Sequence, residues 1–142
     1  MKLKITSFWW NTFESTEVES FTVMTKSWEI TVLDKHEALI SALVPWVIKI
    51  IYNENWVKQE KHFAIWKWII EIANSNVKIL TDMLLNSDQI QEDELEKAIE
   101  EAKKLKEKYS KASTKEDMEK FLQASEQLSK VQAKVKLVEL SK

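Results

Sequence analysis

The chain holds two histidines, His36 and His62, and no cysteine, so most of its capacity for chemistry rests on hydroxyls, carboxylates and lysines. His36 lies in the polar run Asp34-Lys35-His36-Glu37, and His62 in a strand-like run ending at Ile65. The two histidines are far apart in sequence and have no thiolate or third imidazole at ligand spacing, so no metal cluster is expected. A lone loop histidine reads first as a solvated turn residue, and His62 as a side chain on an exposed strand face. The acidic run Gln91-Glu92-Asp93-Glu94 resembles a carboxylate pair for acid–base work, but it opens a helical segment. There it does simpler work, because carboxylates are favoured at a helix N-terminus. No Ser-His-Asp arrangement and no glycine-rich phosphate loop followed by Lys-Ser/Thr can be found. We therefore expect no catalytic residue, no cofactor and no metal. The chain reads as a binding protein, not an enzyme.

Charge and length narrow this further. The 142 residues carry 21 basic and 23 acidic side chains, a net charge of −2, so no basic field points to nucleic acid. The basic residues are all lysine; arginine is absent. MKLKIT is followed by no apolar h-region, so no signal peptide is expected. The apolar stretch Ala38–Tyr52 is broken by Ser41, Pro45 and Lys49. It falls short of the roughly 20 residues a spanning helix needs and reads as a short link into a buried strand.

The elements that must position these residues divide near residue 86. Before it, short β-branched runs alternate with polar punctuation: Lys2–Thr6, Glu17–Val23, Glu29–Leu33, Val47–Tyr52, Lys61–Ile65, Ile69–Ile72 and Val77–Leu80. Strand-length segments at this spacing suit an all-β sandwich or barrel. Asn53-Glu54-Asn55-Trp56 predicts one hairpin turn and Asn74-Ser75-Asn76 a second, since asparagine tolerates left-handed backbone. From Ser87 onward the period becomes helical. Leu95, Ala98, Ile99, Ala102 and Leu105 form one stripe; Met118, Phe121, Leu122, Leu128, Val131, Val135 and Val138 form another. Ser113 with Glu116, or Thr114 with Asp117, signals the start of the second helix. The two helices are expected to pair as an antiparallel hairpin, each burying the other's stripe.

The ordered set of segments resembles the epsilon subunit of F-type ATP synthases, called delta in mitochondria. The resemblance rests on Glu17-Val18-Glu19-Ser20 with Thr22-Val23, then Glu29-Ile30-Thr31-Val32-Leu33 followed by His36. It continues through Leu39–Pro45 into Val47-Ile48-Lys49-Ile50, Phe63-Ala64-Ile65, Glu71-Ile72 and Val77–Asp82. The fold it implies is an N-terminal antiparallel β-sandwich over residues 1–86, then a C-terminal α-helical hairpin over 87–142. The function it implies is that of a non-catalytic rotor part in the central stalk. The sandwich would rest on the c-ring and clasp the gamma subunit. The hairpin, when extended, would reach the alpha and beta catalytic subunits and inhibit ATP hydrolysis. Glu29, Lys35, His36 and Glu37 would form a polar rim facing the c-ring, with Glu29 in a neighbouring loop. The protein would then be peripheral to the membrane, on the cytoplasmic face of a bacterial plasma membrane rather than an organellar one.

Some members of that family bind ATP in the hairpin through Ile-Asp-x-x-Arg-Ala. Here the stretch reads Ile90-Gln91-Glu92-Asp93-Glu94-Leu95, with Gln91 for Asp and Glu94 for Arg, and a further basic position is Glu101. Carboxylates repel a triphosphate, so no nucleotide is expected. The rival reading from another class is a free-standing interaction module of phage or plasmid origin, whose hairpin binds a host partner.

One compositional fact stands apart: there is no glycine, and there are seven tryptophans. An average chain of this length would hold about ten glycines. All seven tryptophans precede residue 69. Trp28, Trp46, Trp56, the Trp66-Lys67-Trp68 turn and the Trp9-Trp10 pair stand where the resembling family has glycine. These positions are expected to be glycine positions, as in a lineage reading UGA as glycine. Negative φ and buried indoles at Trp28, Trp56 and Trp68 would overturn that expectation.

Overall fold

A computed structural model describes residues 1–8, 11–111 and 113–140. In chain order the strands are β1 (Lys2–Ser7), β2 (Thr12–Ser15), β3 (Val18–Met24), β4 (Glu29–Leu33), β5 (Leu39–Leu43), β6 (Trp46–Glu54), β7 (Val57–Ile65), β8 (Trp68–Ala73), β9 (Asn76–Thr81) and β10 (Leu84–Leu85). A 3₁₀ turn at Ser87–Gln89 leads into α1 (Glu92–Lys108) and α2 (Lys115–Leu140). The strands form two five-stranded sheets, ordered β2-β1-β9-β8-β5 and β10-β7-β6-β3-β4.

The sandwich follows from period-two burial. In β1 and β9 every second side chain turns inward, bringing Leu3, Ile5, Val77 and Ile79 onto Ile70 and Ile72 of β8. The second sheet answers with Val18, Phe21, Val23, Val32, Ile48, Ile50, Phe63 and Ile65, and these close one apolar cluster with the first. Both predicted hairpin turns are present. Asn55 and Trp56 lie at φ 50 and 67 between the paired residues Glu54 and Val57. Asn74 and Ser75 lie at φ 51 and 59 between Ala73 and Asn76. Two consecutive left-handed residues in a two-residue loop make a type I′ turn, whose twist matches that of the strands it joins.

Three features differ from the sequence reading. The sandwich is not antiparallel throughout: β1 runs parallel to β9, from Lys2↔Asn76 to Ser7↔Thr81. These strands come from opposite ends of the domain's sequence, so no hairpin loop dictates their direction. The Ala38–Tyr52 stretch is two strands in different sheets, β5 and β6, separated at Val44-Pro45. His62 is largely covered, its side chain only 15% exposed, and its Nε2 lies 3.1 Å from Glu60 Oε1.

Thr81 ties the ends of the strands together. It is fully buried; its Oγ1 donates to the Trp66 carbonyl at 2.6 Å and accepts the Trp66 N–H at 3.0 Å. Replacing that hydroxyl with a methyl leaves buried backbone groups unpaired, which costs about 1–3 kcal/mol. Thr81→Val is expected to lower the unfolding free energy, read from denaturant titration, by that amount, while Thr81→Ser stays near the parent. Equal stability of Thr81→Val and the parent would show that this bond contributes nothing.

Candidate docking surfaces

The rim residues are positioned by β4, an edge strand that pairs only with β3. After Leu33 the chain turns, with the His36 N–H donating to the Leu33 carbonyl at 3.2 Å and Lys35 at φ 63. Asp34 holds the turn from the side. Its Oδ1 accepts the Lys35 N–H at 3.0 Å and lies 3.9 Å from the Met1 ammonium. The Asp34 carboxyl is held below its usual range, chiefly by a hydrogen bond from the Ser75 side chain, with help from the Met1 charge and the Lys35 backbone. His36 Nδ1 is 2.7 Å from the Glu37 carbonyl oxygen. Lys35 and Glu37 are exposed on either side of it.

Lys35, His36 and Glu37 therefore form one compact polar turn. Glu29 does not join them from a neighbouring loop: it begins β4, and Lys35 follows the end of that strand. At about 3.3 Å per residue, the strand alone sets Glu29 about 13 Å from Leu33, where the turn begins. The four residues mark the two ends of one sheet edge. Between them Thr31 and Leu33 face solvent, the latter 60% exposed.

A second surface went unnoticed in the sequence. Cα partners across the first sheet place Ala42, Ile69, Leu80 and Thr6 in one row. The adjacent row is Ile40, Glu71, Lys78 and Lys4. Ile40, Ile69 and Leu80 are on the outer face, exposed by 68%, 36% and 42%. The signal was present as apolar residues on both phases of the strand alternation, which a strand with one solvated face does not need.

The outer face of the other sheet is occupied. There α2 lies against β6 and β7, with Leu137 fully buried between Val47 and Ala64, and Leu85 and Ile90 at the margin. On its other side α2 packs on α1 through Leu95, Val131 and Val138, flanked by Ala98, Ile99 and Val135. The expected simple pairing of stripes is thus corrected: α2 buries two faces near its C-terminal end. Toward the hairpin tip Leu105, Met118 and Leu122 remain exposed. Thr114 caps α2, its Oγ1 accepting the Asp117 N–H at 3.1 Å. Among the described residues no group of acidic or imidazole side chains could hold a metal ion. None of their helices is long and apolar enough to cross a membrane.

The model for the ATP synthase Delta/Epsilon chain β-sandwich domain matches residues 1–87, more than half of the chain. The chain belongs to this family. Two solved structures share the fold of this delta/epsilon chain. One is a chain of the Euglena gracilis mitochondrial ATP synthase, OSCP/F1/c-ring in rotational state 1, with TM-score 0.74 and 20% identity; 98% of this chain and 79% of that one are covered. The other is a chain of the Tetrahymena thermophila mitochondrial ATP synthase central stalk and c-ring, with TM-score 0.65 and 13% identity; 97% of this chain and 96% of that one are covered.

In this delta/epsilon chain one ion pair, Lys67 with Glu126, fastens α2 to the sandwich. The Lys67 hydrogen bond and charge hold the Glu126 carboxyl below its usual range, and Glu126 in turn holds the Lys67 ammonium above its own. The Glu126 contribution is complete above the ordinary glutamate value and is lost as pH falls through the lowered folded value. The Lys67 contribution is complete below the ordinary lysine value and is lost as pH rises through the raised one. The side chains are 49% and 36% exposed, so screening limits the pair to about 0–1 kcal/mol. Glu126→Gln is expected to speed amide exchange in α2 near neutral pH by up to about fivefold. In acid, below the lowered value, the parent should exchange like the variant. A difference that persists there would mean that another contact carries the effect.

Proposed function

We propose that this chain is the non-catalytic central-stalk subunit of an F-type ATP synthase, linking gamma to the c-ring during rotary ATP synthesis. The observation that carries the reading is the family match over the sandwich, joined to a sandwich with two uncovered surfaces of different chemistry. The apolar row at Ile69 and Leu80 suits a protein partner held permanently, and gamma is assigned to it. The polar rim of Glu29, Lys35, His36 and Glu37 suits a contact that forms beside the membrane, and the c-ring is assigned to it. A two-layer sandwich is stiff because its inner faces interdigitate, which fits a part that transmits torque. Residues 1–86 are taken as this coupling unit, and the protein as peripheral to the membrane on its cytoplasmic face.

Residues 87–142 are taken as a regulatory hairpin. The exposed tip apolar groups lie near Lys103, Lys104, Lys106, Lys108, Lys115 and Lys120, a combination suited to acidic surfaces on the catalytic subunits in an extended state. Deleting residues 88–142 is expected to raise ATP hydrolysis by the assembled enzyme several-fold.

Capture of the chain from its own membranes in detergent tests the main reading. Gamma and c-ring subunits should be recovered together. Ile69→Asp should reduce gamma recovery tenfold or more, whereas Lys35→Glu with Glu37→Lys should reduce the c-ring and spare gamma. Recovery of neither partner by the parent chain would favour the free-standing interaction module.

A further inference from the structure

We propose that the native polypeptide carries glycine at the four positions written Trp28, Trp46, Trp56 and Trp66, the codon UGA being read as glycine in its source. The inference concerns the covalent identity of the chain and does not depend on the assigned function.

Trp56 gives the strongest argument. It occupies the second position of the type I′ turn after Asn55, at φ 67, and its side chain is 102% exposed. That conformation crowds Cβ against the following carbonyl, and for a bulky residue it is a true outlier. No packing offsets the strain, because the indole touches solvent all round. Asn-Gly is the preferred pair at these two positions, and glycine at 56 would produce it. The other type I′ turn has the small residue Ser75 at the equivalent place, after Asn74.

The remaining three indoles stand outside the apolar clusters. A tryptophan ordinarily buries about 150–250 Å² and dominates its surroundings. Trp28 is 69% exposed, and none of the four belongs to any of the three apolar clusters. The aromatic packing comes instead from Phe13 against Tyr52 and Phe63, with ring centroids 5.5 and 5.4 Å apart. Trp66 is buried, yet its Nε1 donates to nothing. Two ammonium groups, of Lys130 and Lys134, are both 5.0 Å from its ring. Lys136 is 4.6 Å from the Trp46 ring. Burial holds the Lys134 ammonium below its usual range, and Lys130 adds repulsion. These two rings therefore meet lysine ammoniums and take no share of the apolar clusters. Trp56 is the one described tryptophan with positive φ, so at 28, 46 and 66 the argument rests on the side chains. Trp9, Trp10 and the side chain of Trp68 lie outside the described residues.

The test is the intact mass of the protein from its native source, with a fragment map covering residues 20–70. Glycine at positions 28, 46, 56 and 66 is the expected result. Tryptophan at any one of the four overturns the proposal.

Discussion

The β6–β7 hairpin is apolar on both faces at its base, and the rest of the molecule is arranged around that fact. Ile48 and Ile65 point into the sandwich, while Val47 and Ala64, one position away in each strand, point out. An outward valine beside an outward alanine on a sheet needs a cover, and Leu137 of α2 supplies it with no exposed surface left. Once α2 is laid there, its opposite face requires α1, and the short connection through Ser87–Gln89 brings α1 to it. The first sheet has no such cover within the chain and keeps its outer face, with Ile40, Ile69 and Leu80, open.

Much of this was legible in the sequence because local pattern and tertiary environment agree. β4 spans the residues its alternation indicates, and both type I′ turns follow from asparagine at the first position. What escaped has physical reasons. β2, Thr12-Phe13-Glu14-Ser15, has one apolar residue and borrows its order from the edge of β1. β5 and β6 merge into one apolar stretch because both carry apolar residues on successive positions, leaving only Val44-Pro45 to separate them. Parallel pairing of β1 with β9 leaves no local trace. The second buried face of α2 was hidden because Ala124 and Ala133 are too small to stand out in a helical pattern.

The rim was placed by the family resemblance; in the structure Lys35-His36-Glu37 is a polar turn, and Glu29 stands at the other end of β4. A turn is a local property, set by Asp34 and by a left-handed Lys35. Proximity between Glu29 and His36 is a matter of strand length, and a strand of five residues holds its ends apart. The electrostatics also favour modest local contacts. Among the described residues the ion pairs are between lysine or the N-terminus and carboxylates, or from His62 to Glu60, and mostly at the surface. Pairs of that kind shape surfaces more than they stabilise folds.

The two-residue strand β10 carries a mechanical consequence. Leu84 and Leu85 pair with Ile65 and Ala64, and the Leu84 carbonyl also accepts Asn11 Nδ2–H at 2.9 Å. Immediately afterwards Asn86 and Gln89 close a capping box. Any swing of the helices is therefore pivoted just beyond Leu85, not anywhere along a slack tether. α1 is a 17-residue rod about 26 Å long, joined to that point through the 3₁₀ turn. If α2 were to straighten in line with α1, its 26 residues would add about 39 Å to the lever. Were the hairpin to leave the sandwich, the attachment point would fix the arc its tip could trace.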